Sequence, residues 1–567
     1  MLTCVRKAFD LIRQWFGIDL TMANCPQEDP AVYGMVGRAD TEGTFQIESR
    51  AQRQSLPKTM PKTFYDLIVQ VALIRPGPIQ GDMVHPYLRR KRGEEPVTFA
   101  SEALRPVLEK TLGIPLFQEQ AMEIASIAAG FTPSEADHLR RSLASSSGPG
   151  RIQIHRERFI QGCLDNDYER DFAEAVFRQL EGFSGYGFPQ CHAASFALIV
   201  YGSCYIKCHY PQVFLTALLN SQPMGFYAPA QLVQDARRHG VEVRPACVER
   251  SYWDCTLEPD GNGKLAVRLG FRQIKGLPEE EAKWLTACRG NGYRSIDALW
   301  RRAGLSQRAL KKLAHGDAFL THGLTRREAL WQVKALPKGG ALPLFEEVGE
   351  GLPSPEVKLA ILSEAQQVYA DYVSTRLTLR THPIALLSEE LGRRLPASHQ
   401  RDYPDGARVT VSGLVVCRQR PGTASGVVFL TLEDETGTSN VIVWGKGVFP
   451  KFRAEIMTGR LLRVSGKFQR EGIVTNIIAD RIEDMSFLLD SLSLGDEAIN
   501  PAYDNADHVR SPVQSSSAIA RNQSASHVPK PGKPDPLGAE PKTDRSKDRK
   551  TVTDYYSHGA SRHPRSQ

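Results

Sequence analysis

What this sequence lacks narrows its function before any motif is read. Its ten cysteines are scattered and no Cys-x-x-Cys pair occurs, which argues against a zinc ribbon or a disulfide framework. Cys204, Cys208 and His209 lie close together, but a zinc site needs a fourth ligand, and buried free thiols are the expectation. No metal site is predicted. Long apolar runs are missing too. The most apolar stretch, His192 to Ile206, is interrupted by Ser195 and Ser203 and falls short of the roughly 20 residues a membrane span needs. The start at Met1 has helical periodicity instead of a charged segment followed by a small-residue cleavage site. These absences predict a cytoplasmic, reducing setting and no membrane partner.

Excess charge of one sign is also lacking. Lys plus Arg number 71 against 64 Asp plus Glu, a formal surplus of seven. Residues 500 to 567 hold eleven basic and seven acidic side chains, so more than half of that surplus lies in the last segment. Bulk charge of this size excludes a histone-like protein and leaves room for local basic grooves. At 567 residues the chain is long enough for three or four domains.

Residues 1–245 read as helices. Leu2, Val5, Phe9, Ile12 and Phe16 recur at spacings of three and four, one face of a first helix. Thr132-Pro-Ser-Glu135 is a capping box, with Ala136, Leu139 and Leu143 as the apolar face of the helix it starts. Between helices run Gly-rich loops with interleaved aromatics, such as Gly182 to Pro189, which suit close backbone approach better than a linker. Residues 246–335 read as a second helical unit with two similar turns about 45 residues apart. One is Lys275-Gly276-Leu277-Pro278; the other is Gly323-Leu324-Thr325-Arg326-Arg327-Glu328, a further capping box. Residues 336–405 are a Pro- and Gly-rich linker with connecting helices. Within 406–490 the period changes to two at Val409 and Val411, at Val428, Leu430 and Leu432, and at Val441 and Val443. Three strands, a helix and two strands predict a five-stranded OB barrel. Residues 491–567 have few large apolar side chains and predict a disordered basic tail. The fold class is therefore multidomain: mainly α, then a small β-barrel, then a tail.

Five strings in the first block occur in an order that resembles the fingers domain of C-family DNA polymerases. They are Gly43-Thr-Phe-Gln-Ile-Glu-Ser49, Ile74-Arg-Pro-Gly-Pro-Ile79, Phe117-Gln-Glu-Gln120, Ala136-Asp-His-Leu-Arg-Arg141, and Gly185-Tyr-Gly-Phe188 with His192. The stretch Leu218 to Gln231 is similar to the error-prone branch of that family. The resemblance runs from Met1 to about Met485. It implies template-directed DNA synthesis past damaged bases, with a DNA template–primer, deoxynucleoside triphosphates, Mg²⁺, a sliding clamp and accessory mutagenesis proteins as partners.

Residue by residue, the resemblance makes Arg140 and Arg141 the triphosphate-binding pair. Gly187 and His192 become part of the wall around the nascent base pair. The turns at Gly276 and Gly323 resemble tandem helix-hairpin-helix elements, in which backbone N–H groups hold DNA phosphate without reading sequence; Lys275, Arg326 and Arg327 flank them. Leu342, Leu344 and Phe345, in Ala341-Leu-Pro-Leu-Phe345, resemble a short clamp-binding segment that lacks the usual leading Gln. In the barrel, Trp444, Phe449 and Phe452 beside Lys446, Lys451 and Arg453 are possible stacking residues, none singled out. The resemblance implies three metal-binding Asp residues on the palm, one of them on a strand ending just before a Met-Leu-Thr like the one at Met1. No Asp-x-Asp pair occupies a strand-like stretch here, and Asp10 and Asp19 read as surface charges. The expectation is a chain that binds triphosphate and DNA without its own catalytic carboxylates. The alternative is a non-catalytic nucleic-acid-binding scaffold.

Overall fold

A computed structural model describes residues 1–75, 84–99, 101–144, 149–182, 189–224, 227–337, 359–420, 426–472 and 474–492. The helical block begins with α1 (Leu2–Phe16), ended by Gly17 in the left-handed region at φ 68°. Its buried stripe is Cys4, Val5, Ala8 and Ile12, while Leu2 is 67% exposed and Phe16 39%. The spacing located the helix but placed its inner face too wide. Next come α2 (Pro30–Gly37), α3 (Arg50–Thr59), α4 (Phe64–Leu73) and α5 (Val84–Lys91). Each of α2 to α4 starts at a side chain that accepts a backbone N–H: Asp29, Ser49 and Thr63.

After three short helical turns follow α6 (Gln118–Ala129), α7 (Pro133–Ala144), α8 (Arg156–Asp165) and α9 (Arg170–Gly182). The block closes with α10 (Gln190–His209), α11 (Pro211–Leu219) and α12 (Pro229–Arg238). Helix α10 is the axis. It packs on α2, α4 and α11, and every residue from Val200 to Lys207 is buried, as expected of a helix with neighbours on all sides. The loop before α3 threads this core closely. At Gly43, φ is 76° and a Cβ would stand 2.9 Å from Leu218 Cδ1, so both backbone and space require glycine there.

Residues 243–268 depart from the all-helical expectation. Strands β1 (Val243–Arg244), β2 (Thr256–Pro259) and β3 (Leu265–Arg268) form a small sheet in the order β1-β3-β2, with β1 parallel to β3. Then come α13 (Glu279–Ala287), α14 (Ile296–Ala303), α15 (Gln307–His315) and α16 (Arg326–Ala335). The two predicted turns repeat one design. A 3₁₀ turn at Phe271–Gln273 or Leu320–His322 leads into a glycine, Gly276 at φ 76° or Gly323 at φ 69°, and on into α13 or α16. One continuous hydrophobic core runs from Cys4 through Phe271, Leu313 and Val333 to Leu377, so the helical block and the hairpin unit share an interior.

After α17 (Glu364–Thr375) and two short helices, the predicted barrel follows in its predicted order. Strands β4 (Arg408–Gln419), β5 (Val428–Glu433) and β6 (Thr438–Val443) precede helices Val448–Lys451 and Arg453–Thr458. Strands β7 (Leu461–Glu471) and β8 (Val474–Asp484) close it as β4-β5-β6-β8-β7. Val428, Leu430, Leu432, Val441 and Val443 point inward, the period-two alternation that the sequence displays. A register shift between Val415 and Cys417 lets β4 turn the corner between β5 and β7. The barrel interior is a separate cluster from the helical core. A third cluster, including Tyr369, Tyr372, Leu414, Leu461 and Leu489, seats α17 against the barrel's outside.

Candidate functional site

Helix α7 begins at the predicted capping box. The Thr132 backbone N–H donates to Glu135 Oε2 at 2.8 Å, and the Glu135 N–H donates to Thr132 Oγ1 at 3.3 Å. Ala136 and Leu139 are buried. Asp137, Arg140 and Arg141 stand at i, i+3 and i+4, hence on one side of the helix. Arg140 reaches Asp137 Oδ1 at 2.7 Å and Arg141 reaches Oδ2 at 2.7 Å. Two planar cations thus converge on a single carboxylate and remain open to water, with the Arg140 and Arg141 side chains 37% and 68% exposed. Hydrogen bonding from Arg140, with the charge of both arginines, holds the Asp137 carboxyl below the usual carboxylate range. Arg158 on α8 pairs with Glu135 at 3.1 Å and steadies the start of the helix.

His192 lies in the first turn of α10, its ring 4.1 Å from that of Phe196. Partial burial, aided by the nearby positive charge of Arg75, lowers its pKa and favours the neutral imidazole. The start of α10 is fixed from α6: the Gln190 N–H donates to both carboxylate oxygens of Glu119 at 3.0 and 3.1 Å. Gln120 accepts from the Leu116 and Phe117 N–H groups and donates to the Val107 carbonyl and Thr111. The Phe117 to Gln120 string is therefore scaffolding for the helix that carries His192. Gly187, Leu342, Leu344 and Phe345 lie outside the described residues.

Sequence reasoning missed a buried ion cluster around Lys207. Lys207, 1% exposed, sits in the apolar run of α10 and places Nζ 3.0 Å from Asp40, 2.9 Å from Asp235 and 3.1 Å from the Glu42 carbonyl oxygen. His239 bonds Asp40 at 2.6 Å. Burial pushes the Asp235 carboxyl up to about 6, against the pull of Lys207. At Asp40, hydrogen bonding from His239 and the ammonium outweigh burial and hold the acid low. Glu42 continues the network through Arg53 at 3.0 Å and Arg238 at 3.6 Å. Among the described residues, the group of three potential ligands close enough to share a metal ion is Asp40, Asp235 and His239. The Lys207 ammonium already lies between the two carboxylates. The signal available in sequence was a lysine flanked by Tyr205, Ile206 and Cys208 in a helix otherwise free of charge.

The two hairpin turns differ in what they present. Lys275 is exposed, but its N–H donates to the Ser374 carbonyl at 2.8 Å, and Glu279, Glu280 and Glu281 crowd the first turn of α13. At the second turn the expectation for Arg326 is corrected. It is 3% exposed and bonds Asp371 at 2.6 Å, with Asp317 at 3.6 Å. It is a buried tie between α16 and α17, unable to reach a phosphate in this arrangement. Arg327 is half-buried and donates to the Ala360 carbonyl at 2.8 Å. The repeat extends further than the turns: Gly276-Leu-Pro-Glu-Glu-Glu-Ala-Lys-Trp284 parallels Gly323-Leu-Thr-Arg-Arg-Glu-Ala-Leu-Trp331. Both tryptophans are exposed, at 61% and 50%. In the barrel, Phe449 belongs to the core and Phe452 packs against it, whereas Trp444 is 51% exposed.

Comparison with known families follows this architecture. Residues 1–167 match the bacterial DNA polymerase III alpha subunit finger domain, 240–329 the helix-hairpin-helix motif and 409–485 the OB-fold nucleic acid binding domain. The error-prone DNA polymerase of Ruegeria pomeroyi is 55% identical over 489 residues, 86% of this chain and 44% of that protein. Over the span it shares with them, the chain is homologous to error-prone DNA polymerases. Error-prone DNA polymerase 2 of Agrobacterium fabrum is 52% identical over 86% of this chain and 46% of its own length. The enzyme so named from Alkalilimnicola ehrlichii is 51% identical over 87% and 48%. The chain thus spans about half the length of the curated relatives it matches. A match to asparaginyl-tRNA synthetase from Pyrococcus horikoshii, at 19% identity over 21% of this chain and 27% of that one, has a TM-score of 0.15 and carries no argument.

Within this error-prone polymerase relative, the finger match includes Arg140 and Arg141, the hairpin match includes both glycine turns, and the OB match spans β4 to β8. Among the described residues no helix is long and apolar enough to cross a membrane.

Proposed function

We propose that this chain is the triphosphate- and DNA-handling portion of an error-prone DNA polymerase acting in damage-induced mutagenesis and translesion synthesis. The observation that supports it most is the convergence of Arg140 and Arg141 on the two oxygens of Asp137. A site that already orients two guanidiniums on one anion suits a deoxynucleoside triphosphate, whose forked phosphate oxygens match guanidinium geometry. With roughly four negative charges the triphosphate outcompetes a single carboxylate, and Asp137 returns to the pair when the nucleotide leaves. His192, held toward the neutral form and packed at a tilt against Phe196, offers an apolar edge for the nascent pair. The exposed turn at Gly323 with Arg327, and Lys275 beside Gly276, contact template–primer phosphate.

The family's chemistry requires two Mg²⁺ held by carboxylates, which activate the primer hydroxyl and the leaving oxygen when bound. The described residues do not fit that pair: the candidate group at Asp40, Asp235 and His239 is filled by the Lys207 ammonium. No step is assigned to metal in this chain. A sliding clamp at Leu342 to Phe345 and accessory mutagenesis proteins complete the proposed set of partners.

The test is a primer-extension assay with Mg²⁺, run beside nucleotide binding on the same purified chain. Binding without extension is expected, and template-dependent extension would overturn the assignment. One observation favours the alternative of a non-catalytic nucleic-acid scaffold: Asp137 already satisfies both arginines. That reading predicts DNA binding with no triphosphate affinity.

A further inference from the structure

Strands β5 and β6 are the second and third strands of the barrel, and in OB folds that face receives oligonucleotides. Here helix α3 of the helical block lies across it. Arg50 Nη1 donates to the carbonyls of Leu430 and Val441, a directly paired couple on β5 and β6, at 3.2 and 3.4 Å. Its Nη2 donates to Asn476 Oδ1 on β8 at 3.3 Å, as does Gln54 Nε2. Lys58 pairs with Glu471 at 2.5 Å, and Arg238 on α12 lies 3.7 Å from Glu433. The Arg50 guanidinium sits 4.6 Å from the centroid of the Phe429 ring.

Two features make this contact a separable one. Apart from Phe429, the side chains named above that meet across it are polar, and the helical and barrel cores remain distinct clusters, the character of an interface that opens. It is also imperfect. Arg50 is buried deeply enough to bring its pKa down to about 10, and its Nε has no hydrogen-bond partner. A buried donor left unpaired weakens the closed state relative to one in which water or a ligand completes it. Meanwhile a planar cation over Phe429 occupies the ring face on which an unpaired base would stack.

We infer that α3 is an intramolecular plug of the barrel's single-strand site: Arg50 stands where an unpaired base stacks on Phe429, so α3 and single-stranded DNA exclude one another. This rests on the nucleic-acid reading of the barrel. It also explains why Phe429, an outward-facing aromatic on β5, is covered by an arginine of another domain.

Removing a positive charge at Arg50 should therefore strengthen DNA binding. Ordinary phosphate attraction predicts the reverse. With the full chain and a dye-labelled oligo-dT, Arg50→Ala should raise affinity about tenfold. Phe429→Ala should lower affinity and abolish the gain from Arg50→Ala when the two are combined. Lys58→Glu sets like charges against Glu471 and should also raise affinity, and adding Glu471→Lys should return it toward the wild-type value. If Arg50→Ala and Lys58→Glu both weaken binding while Phe429→Ala still lowers it, the barrel binds DNA but is not plugged, and the inference fails alone. If Phe429→Ala changes nothing, the barrel's nucleic-acid role on this face fails with it.

Discussion

Replacing Lys207 by Met keeps the length and apolar stem of the side chain and deletes its ammonium. Three acceptors then lose a partner: Asp40, Asp235 and the Glu42 carbonyl, all within 3.1 Å of Nζ. Asp40 is cushioned by His239 at 2.6 Å and by 30% exposure of its side chain. Asp235 is 12% exposed and keeps His239 only at 3.9 Å, so it bears the larger part of the loss. Breaking a buried ion pair from one side costs about 3–5 kcal/mol. Asp235 can escape part of this by binding a proton, since burial already holds its carboxyl at about 6. Its pKa is raised in the folded state, so the penalty for ionised Asp235 applies above that value and fades as pH falls below it. The expected deficit is about 3–5 kcal/mol at pH 8 and roughly 1–2 kcal/mol at pH 5. Urea unfolding followed by circular dichroism at both pH values measures it, with unchanged m values as the control for a common unfolded state. A deficit below about 1 kcal/mol, or one equal at both pH values, would refute the view that this ion cluster anchors α10.

Substitutions at Arg326, Arg327 and His382 separate burial from surface charge in the same way. Arg326→Ala leaves Asp371 and Asp317 with Arg380 as their remaining cation; it should cost about 2–4 kcal/mol of stability while leaving DNA affinity of the folded chain within twofold. Arg327→Ala should do the opposite, lowering DNA affinity and the salt dependence of binding with little change in Tm; equal effects of the two on DNA would contradict the burial argument. Burial holds the His382 ring down to about 4, below its unfolded value near 6.5. The unfolded chain then binds the proton first, and stability is lost as pH falls from 6.5 toward 4. His382→Gln should reduce that loss by about 2–3 kcal/mol in thermal or urea unfolding, and an unaltered pH profile would rule the histidine out as its source.

The barrel was legible because β5 and β6 carry the alternation that one buried face imposes: Val428, Leu430 and Leu432 say as much in sequence as in space. Capping boxes at Thr132 and Thr325 were equally readable, since a cap is settled within four residues. Strands β1 to β3 were not, being two to four residues long, and β2 ends in Pro259. Arg326 looked like a phosphate ligand because it follows a glycine turn; the carboxylates that bury it come from Asp317 and from Asp371, 45 positions away. The same limit hid Lys207 between Asp40 and Asp235, and Arg50 over Phe429. The repeat that sets Trp284 and Trp331 eight residues beyond their glycines is present in the sequence, though only the fold shows both rings exposed.

Arg140 and Arg141 are the proposed triphosphate clamp, with Asp137 occupying it when no nucleotide is bound. Equilibrium titration of a fluorescent deoxynucleoside triphosphate into the chain tests it most directly, with Arg140→Ala/Arg141→Ala and Asp137→Asn alongside. At least a tenfold loss is expected for the arginine pair, since each charged hydrogen-bonding partner contributes about 1.5–3 kcal/mol, and no loss, or a gain, for Asp137→Asn, which removes the competing anion. Equal affinity in all three proteins would contradict it.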